Sequence, residues 1–296
     1  MLHGSIQPGI CATLVILVLG SSAGVSLPGD QDTASQYSMY WPQRVASFEH
    51  VNQELILKCN VGMLVIRPVA DNAAHVRYFP ALKRTASSAG AIAAAQAAPK
   101  YRVESTRDAI RLALSRLTVS VDRGTAQITF LDAKRQVLLT SRLYQLRRRP
   151  GAEGDDFSIH AEFLASEDEA YYGLGQYQDE SLNLRGKTVN QWQDFQDPET
   201  GAAAMPFLVT NRRYGILFDN ASKTTVTPGK DGLTTWDAEA GDALSYYVIY
   251  GDEADEIYRV YRSLAKTTPL PLRSALGSIQ GSHEYELQLV RPEPDL

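Results

Sequence analysis

The sequence contains very little cysteine. Only Cys11 and Cys59 occur in 296 residues, so a disulfide framework and a four-cysteine zinc site are both excluded. We expect Cys59 to fill an apolar position in the core. Histidine is scarce as well, and its positions show neither HxH nor HExxH spacing; we therefore predict no metal site and no cofactor. The five histidines, each expected to be structural or exposed, are His3, His50, His75, His160 and His283.

An excess of positive charge is also missing. The chain carries 34 acidic and 29 basic residues, a formal net charge of -5, so no overall positive field recruits phosphates, and we predict neither nucleic acid nor membrane as a partner. The basic run Arg147-Arg148-Arg149 is interpreted as a solvated loop. No third glycine follows Gly173-Leu174-Gly175, since position 178 is Gln, which excludes a dinucleotide fingerprint.

Near the amino terminus, the apolar run at residues 10–19 (ICATLVILVL) is too short to span a bilayer. The small residues Ser21-Ser22-Ala23 follow it at a plausible cleavage point. We expect residues 1–24 to be a signal peptide and the protein to be periplasmic or secreted.

Short runs bounded by turn residues predict β-strands through most of the chain. The clearest is Leu117–Val121, where apolar and hydroxyl residues alternate with period two. Glu54–Lys58 and Met63–Arg67 flank a turn that contains Gly62, which is typical of a hairpin. Aromatic and β-branched residues are typical of strands too. Further predicted strands are His75–Phe79, Ala126–Phe130, Tyr214–Phe218 and Tyr246–Tyr250.

One segment late in the chain predicts a helix. Asp252 is expected to be its N-cap, and Ile257, Tyr261 and Leu264 recur at helical spacing before Pro269. The Ala/Ser-rich residues 86–98 are predicted to be a loop. Hydrophobic residues make up 44% of the chain, enough for a sizeable core. The fold class is therefore all-β, a large antiparallel β-sandwich with one late helix.

Carboxylates, amides and aromatic rings are concentrated between residues 167 and 199. Among them are Glu169, Tyr171 and Trp192. A pyranose offers an apolar face to an aromatic ring and hydroxyls to polar groups. This composition fits sugar recognition, and it equally fits a polar aromatic loop that serves only the structure.

Seven short motifs follow one another between residues 172 and 271: Tyr172–Gln176, Asn183–Gly186, Met205–Val209, Tyr214–Asn220, Tyr246–Gly251, Asp255–Tyr261 and Thr268–Pro271. These motifs, in this order, resemble glycoside hydrolase family 31. The resemblance covers roughly residues 50 to 285 and is greatest to bacterial α-xylosidases and α-glucosidases.

The resemblance implies a galactose-mutarotase-like β-sandwich joined to a (β/α)8 barrel that carries the two carboxylates of a retaining exo-α-glycosidase. Residues 25–266 correspond to the sandwich, and residues 267–296 to a linker and a stub of the first barrel strand at Ala275–Gln280, with an atypical tail after it. A barrel takes about 250 residues. We therefore expect a truncated product that lacks both catalytic carboxylates, with residues 274–296 poorly packed, and we assign no catalytic residue.

In the family, a loop before the Pro-Phe-Leu strand contributes polar groups to the sugar subsite. The resemblance places Asp194 or Asp197 as the acid of that loop, with Trp192 and Gln193 beside it. It implies an α-linked oligosaccharide or xyloglucan fragment as ligand. A further hypothesis is that a separately encoded catalytic barrel assembles with this chain as its partner. The alternatives are a stand-alone carbohydrate-binding module, or a mutarotase-like enzyme using a histidine, His75 or His160, and a carboxylate.

Overall fold

Two large antiparallel β-sheets are stacked face to face. The computed structural model describes residues 37–38, 43–80, 99–151, 156–176, 181–192, 203–265, 280–281 and 287–288. Contacts divide the chain into two units, Met1–Ser35 and Gln36–Leu296, and all described residues belong to the second. The predicted signal peptide, the loop at 86–98 and the linker at 267–271 lie outside the described residues.

The described residues form twenty strands and one helix, α1, at Ala254–Leu264. The strands are β1 (Tyr37–Ser38), β2 (Val45–Val51), β3 (Glu54–Cys59), β4 (Met63–Ala70), β5 (Ala73–Phe79), β6 (Arg102–Ser105), β7 (Ala109–Ala113), β8 (Leu117–Asp122), β9 (Ile128–Asp132), β10 (Val137–Arg148), β11 (Phe157–Leu164), β12 (Tyr171–Gly175), β13 (Val189–Gln191), β14 (Ala204–Thr210), β15 (Tyr214–Phe218), β16 (Thr224–Lys230), β17 (Leu233–Gly241), β18 (Leu244–Tyr250), β19 (Gln280–Gly281) and β20 (Leu287–Gln288).

The ten-stranded sheet has the order β13-β16-β17-β11-β10-β9-β8-β7-β6, with β1 paired to β10. The eight-stranded sheet has the order β12-β14-β15-β18-β5-β4-β3-β2. A further antiparallel pair joins β19 to β20; the rest of the predicted barrel strand, residues 275–279, lies outside the described residues. The predicted antiparallel sandwich with a single helix is confirmed for the part of the chain that is described.

The sandwich core lies between the two sheets. In β8, Leu117, Val119 and Val121 are buried while the residues between them are partly exposed, which confirms the predicted period of two. Cys59 is buried in this core, as expected, and burial raises the pKa of its thiol to about 11. A thiol with a raised pKa is a poor nucleophile, so Cys59 is a packing residue.

The eight-stranded sheet is apolar on both faces. All seven residues of β18 are buried. Tyr246 and Val248 point into the sandwich core, whereas Tyr247 and Ile249 belong to a separate apolar cluster on the other face. Helix α1 covers part of this outer face with Ile257 and other buried residues. A sheet buried on both faces reads as a continuous apolar run, which explains the sequence of β18.

The start of α1 differs from the prediction. Its N-cap is Glu253, which makes no side-chain capping bond, and the predicted N-cap at Asp252 is wrong. The carboxylate of Asp252 instead accepts hydrogen bonds from Tyr250 Oη at 2.6 Å and from Arg116 Nη2 at 2.7 Å. Glu256 also binds Arg116 and accepts a bond from the backbone N–H of Asp252 at 3.0 Å. A long-range ion cluster thus fixes the helix start.

Candidate functional site

The predicted sugar-binding loop is described only at its beginning. Trp192 follows β13, and 46% of its surface is exposed, as a stacking platform requires. Gln193, Asp194 and Asp197 lie outside the described residues. Gln191 is buried, and its Nε2 donates to the carbonyl of Leu174 at 2.8 Å. This bond joins the edge strands β13 and β12 of the two sheets, so Trp192 lies at the edge of the sandwich.

Other residues of the acidic and aromatic segment are structural. Glu169 is buried and accepts hydrogen bonds from the hydroxyl of Tyr214 and from the backbone N–H of Ser166. Burial and the nearby carboxylate of Glu169 raise the pKa of Tyr214 well above its ordinary value. Tyr171 is fully buried in the sandwich core. Neither Glu169 nor Tyr171 is therefore available to a sugar.

The family motif at Asn183–Gly186 stabilises the entry to β12. The Oδ1 of Asn183 accepts hydrogen bonds from the backbone N–H of Tyr171 at 3.0 Å and of Arg185 at 3.1 Å. Arg185 Nη1 donates to the carbonyls of Ser166 and Glu169, both at 2.8 Å. These bonds satisfy backbone groups of a turn, so this motif is part of the fold and contacts no open site.

A polar hollow occupies the face of the ten-stranded sheet that points away from the sandwich core. It has a volume of about 470 Å³, and strands β10, β11, β16 and β17 supply its walls. We call it the outer-face cleft. Its polar lining includes Gln145, Arg147, His160, Lys223, Asp237 and Glu239.

At the centre of the outer-face cleft, His160 pairs across the sheet with Asp237. Its Nδ1 lies 2.6 Å from Asp237 Oδ1, and its Nε2 lies 3.0 Å from Oε1 of Glu162. Because a carboxylate accepts hydrogen bonds at each ring nitrogen, both nitrogens favour carrying a proton. A histidine ring with both nitrogens protonated is the imidazolium cation. The hydrogen bond to Asp237 is the main cause of the raised pKa of His160. Burial lowers this pKa, and the hydrogen bond to Glu162 raises it further.

The sequence interpretation missed this site. The histidines are predicted to be structural or exposed, and only the mutarotase-like alternative pairs His160 with a carboxylate, without naming which one. His160 and Asp237 meet although 77 positions separate them. The predicted solvated loop at residues 147–149 is also wrong in part, because Arg147 and Arg148 end strand β10. Alternation in β11, where Ile159 and Ala161 are buried on either side of His160, was the signal that placed His160 on the outward face.

The other histidine named for a mutarotase-like site lies on the other sheet. His75 is on β5, stacks on Tyr247 with 3.9 Å between ring centroids, and lies 2.8 Å from Ser245 Oγ. Burial holds the pKa of His75 well below its ordinary value, so its ring is neutral. His75 therefore packs as a structural residue and does not converge with His160.

The raised pKa of His160 gives a testable pH dependence. A histidine whose pKa is higher in the folded than in the unfolded protein stabilises the fold when it is protonated. This stabilisation is fully present below the pKa of the unfolded protein, about 6.5, and it is lost as the pH rises through the pKa of the folded protein. We expect the His160 ring protons to titrate in NMR with a midpoint above about 6.5.

The Asp237→Asn variant is the control for this titration. It removes the carboxylate that raises the pKa most, so its midpoint should fall below that of the unsubstituted protein. An unchanged midpoint in Asp237→Asn would show that the contact between these side chains does not set the charge of His160.

No group of three or more histidine, cysteine or acidic side chains within the described ranges is placed to hold a metal ion. In the same ranges, no helix has the length and hydropathy needed to cross a membrane.

The fold defines a large antiparallel β-sandwich that carries its polar cleft on an outer sheet face. A family model described as the glycosyl hydrolase 31 N-terminal galactose mutarotase-like domain matches residues 63–226, more than half of the chain. The chain therefore belongs to the family of glycoside hydrolase 31 N-terminal domains. This confirms the family and the fold that the ordered motifs indicated.

Curated relatives are enzymes of the same family. The chain is 28% identical to an alpha-xylosidase of Saccharolobus solfataricus over 228 residues, which cover 74% of this chain and 30% of the relative. It is 24% identical to alpha-glucosidase 2 of Bacillus thermoamyloliquefaciens over 259 residues, which cover 82% of this chain and 31% of the relative. The chain thus spans about a third of the length of these relatives.

Solved structures share the fold. The chain superposes on a family 31 dextranase of Flavobacterium johnsoniae with a TM-score of 0.68 and 20% identity, covering 80% of this chain and 30% of that one. A family 31 alpha-xylosidase from a soil metagenome, solved with xylose, gives a TM-score of 0.68 and 24% identity, with coverage of 78% and 36%.

Proposed function

We propose that this chain is the supporting and carbohydrate-binding sandwich of an exported α-glycosidase, of α-xylosidase or α-glucosidase type, and that it does not hydrolyse glycosides by itself. The observation that carries the proposal is the match to about 30% of the length of an alpha-xylosidase and an alpha-glucosidase. The proposed ligand is an α-linked oligosaccharide or a xyloglucan fragment, with Trp192, Gln193 and Asp194 or Asp197 as its contacts.

The carboxylates that the described residues bring together do not form a hydrolytic pair. A retaining glycosidase needs two carboxyl groups about 5 to 5.5 Å apart on either side of the scissile bond. Glu162 and Asp237 instead flank the ring of His160, and Asp252 and Glu256 both bind Arg116. In each place a cationic side chain fills the position that a glycosidic bond would need.

The apolar outer face of the eight-stranded sheet supports the role of a packing partner. Phe207, Val209, Leu217 and Ile249 are buried there, outside the sandwich core, in one cluster with α1. Helix α1 contributes to this cluster, and the partly buried residues at its rim, Met205, Val260 and Tyr261, are what remains for a further partner to cover. We propose that this face belongs to the surface that carries a catalytic barrel, in the same or a separate chain.

The mutarotase-like alternative is less well supported. It needs a histidine that can exchange a proton with the sugar while a carboxylate assists. Both ring nitrogens of His160 are bonded to carboxylates, so the ring has no free nitrogen to accept a proton. Anomer interconversion of glucose that is faster with the protein, and slower with His160→Gln, would revive this alternative.

A hydrolysis assay tests the proposal. The purified chain is incubated with aryl α-xylosides and aryl α-glucosides, and release of the aryl alcohol is followed by absorbance. We expect a rate equal to that of buffer alone. Release that scales with protein concentration would contradict the proposal, and a Glu162→Gln variant would show whether the carboxylates around His160 cause it.

A further inference from the structure

A row of polar side chains crosses the outer face of the ten-stranded sheet. Strand register aligns Gln145 with His160, His160 with Asp237, Asp237 with Thr225, and Thr225 with Asn190. The row therefore crosses five adjacent strands, β10, β11, β17, β16 and β13, and spans about 19 Å at about 4.8 Å per strand. An extended ligand several rings long fits such a row better than a single small molecule does.

The chemistry of the row suits hydroxyl groups. The Gln145 amide has donors and an acceptor at the floor of the cleft, where its side chain is mostly buried. The Thr225 hydroxyl donates to Asn190 and keeps its acceptor lone pairs. Half of the Asp237 side chain is exposed, although one of its oxygens is bonded to His160. The cleft around the row has mixed charge, because Arg147 and Lys223 stand with Glu239 in its lining. Mixed charge gives no net attraction for a polyanion or a polycation, so a neutral polyhydroxyl ligand is favoured.

An aromatic ring lies at one end of the row. Asn190 is exposed, Gln191 is buried, and Trp192, the residue after β13, is exposed. We infer from the continued alternation that Trp192 lies on the same side as Asn190. Thr225 Oγ1 lies 3.1 Å from Asn190 Oδ1, which ties the end of the row to β16. An exposed indole beside a polar groove is a stacking surface for the apolar face of a sugar ring.

We propose that the outer-face cleft and this row form a binding site for a neutral oligosaccharide, which lies across the strands from Gln145 to Asn190 and stacks its terminal ring on Trp192. The site goes beyond the proposed function, because it lies on a sheet face and does not depend on the loop acids Asp194 and Asp197. It also requires no hydrolysis.

The test is an NMR titration of the ¹⁵N-labelled full chain with maltotriose, isomaltotriose and a xyloglucan oligosaccharide. We expect saturable shifts of backbone amides in β10, β11, β16 and β17 with at least one of them. This map of the unsubstituted protein does not depend on whether any variant folds. No saturable shift at about 10 mM of every saccharide, above the millimolar range of weak binding, would overturn the proposal.

Variants then locate the site. Asp237→Ala and Thr225→Val should each weaken binding about tenfold, the effect of losing one or two hydrogen bonds, and Trp192→Ala should weaken it by a similar factor. His50→Gln is the control. His50 lies on β2 of the eight-stranded sheet and bonds to Tyr101 at 2.6 Å, so this variant should bind the saccharide with unchanged affinity.

A different pattern separates this site from the loop. If Trp192→Ala abolishes binding while Asp237→Ala and Thr225→Val bind like the unsubstituted protein, the outer-face site is overturned and the loop of the proposed function remains. Turnover in the hydrolysis assay would contradict the proposed function without affecting this site.

Discussion

Replacing Gly173 with alanine should lower the free energy of unfolding by about 3 kcal/mol. Gly173 has a φ of +99°, and an added Cβ would lie 2.5 Å from the backbone oxygen of Phe207 on the paired strand β14. Part of the expected loss is the cost of a positive φ for an L-residue, and the rest is the collision with a backbone atom that cannot rotate away. Denaturant unfolding, followed by tryptophan fluorescence, measures the change.

Gly232→Ala is the matched control for this substitution. Gly232 also has a positive φ, +76°, but nothing lies within 4 Å of the added Cβ, so only the backbone cost of about 1 to 2 kcal/mol remains. An equal loss of unfolding free energy in the two variants would show that the close approach of β12 to β14 is not the reason why position 173 needs glycine. The Gly-Leu-Gly motif would then need an explanation other than packing.

The second large effect is expected at Phe207, which anchors α1 to the eight-stranded sheet. Phe207 is fully buried, stacks on Tyr261 with 4.5 Å between ring centroids, and meets the ring of Tyr258 edge-on at 5.7 Å. The absence of a side chain at Gly215 makes room for the Phe207 ring, because a Cβ at position 215 would lie 2.9 Å from that ring. Phe207→Ala should cost about 3 to 5 kcal/mol.

Loss of Phe207 should also loosen α1, because the ring fills the contact between the helix and the sheet. We expect faster amide hydrogen exchange in residues 254–264 of Phe207→Ala, even where the sheets keep their protection. Tyr258→Ala is the control. The Tyr258 side chain is partly exposed, so this variant should lose about 1 kcal/mol of unfolding free energy or less. Unchanged exchange in α1 of Phe207→Ala would mean that the helix is held by other contacts.

Local features of the fold could be predicted from the sequence because neighbouring residues determine them. The period of two in Leu117–Val121 needs only one buried face, and the hairpin around Gly62 needs only a turn between two apolar runs. The order of the family motifs predicted the complete β-sandwich fold. The pairing of distant strands, such as β11 with β17, has no local signal.

The candidate sites were harder to predict for the same reason. Composition around Tyr171 and Glu169 indicated sugar contacts, yet both side chains are buried and hold the fold. No metal or catalytic spacing surrounds His160, and the sequence could not name its carboxylate partner, because Asp237 lies 77 positions away. The N-cap at Asp252 was wrong because Arg116, 136 positions earlier, binds that carboxylate.

The measurement that tests this account most directly follows binding and cleavage together. An α-linked oligosaccharide is mixed with the labelled protein, and NMR records the protein amides and the anomeric protons of the sugar in one sample over a day. We predict amide shifts that saturate and anomeric signals that stay constant. New reducing-end signals, growing in proportion to the protein concentration, would contradict the claim that this sandwich binds sugars without cutting them.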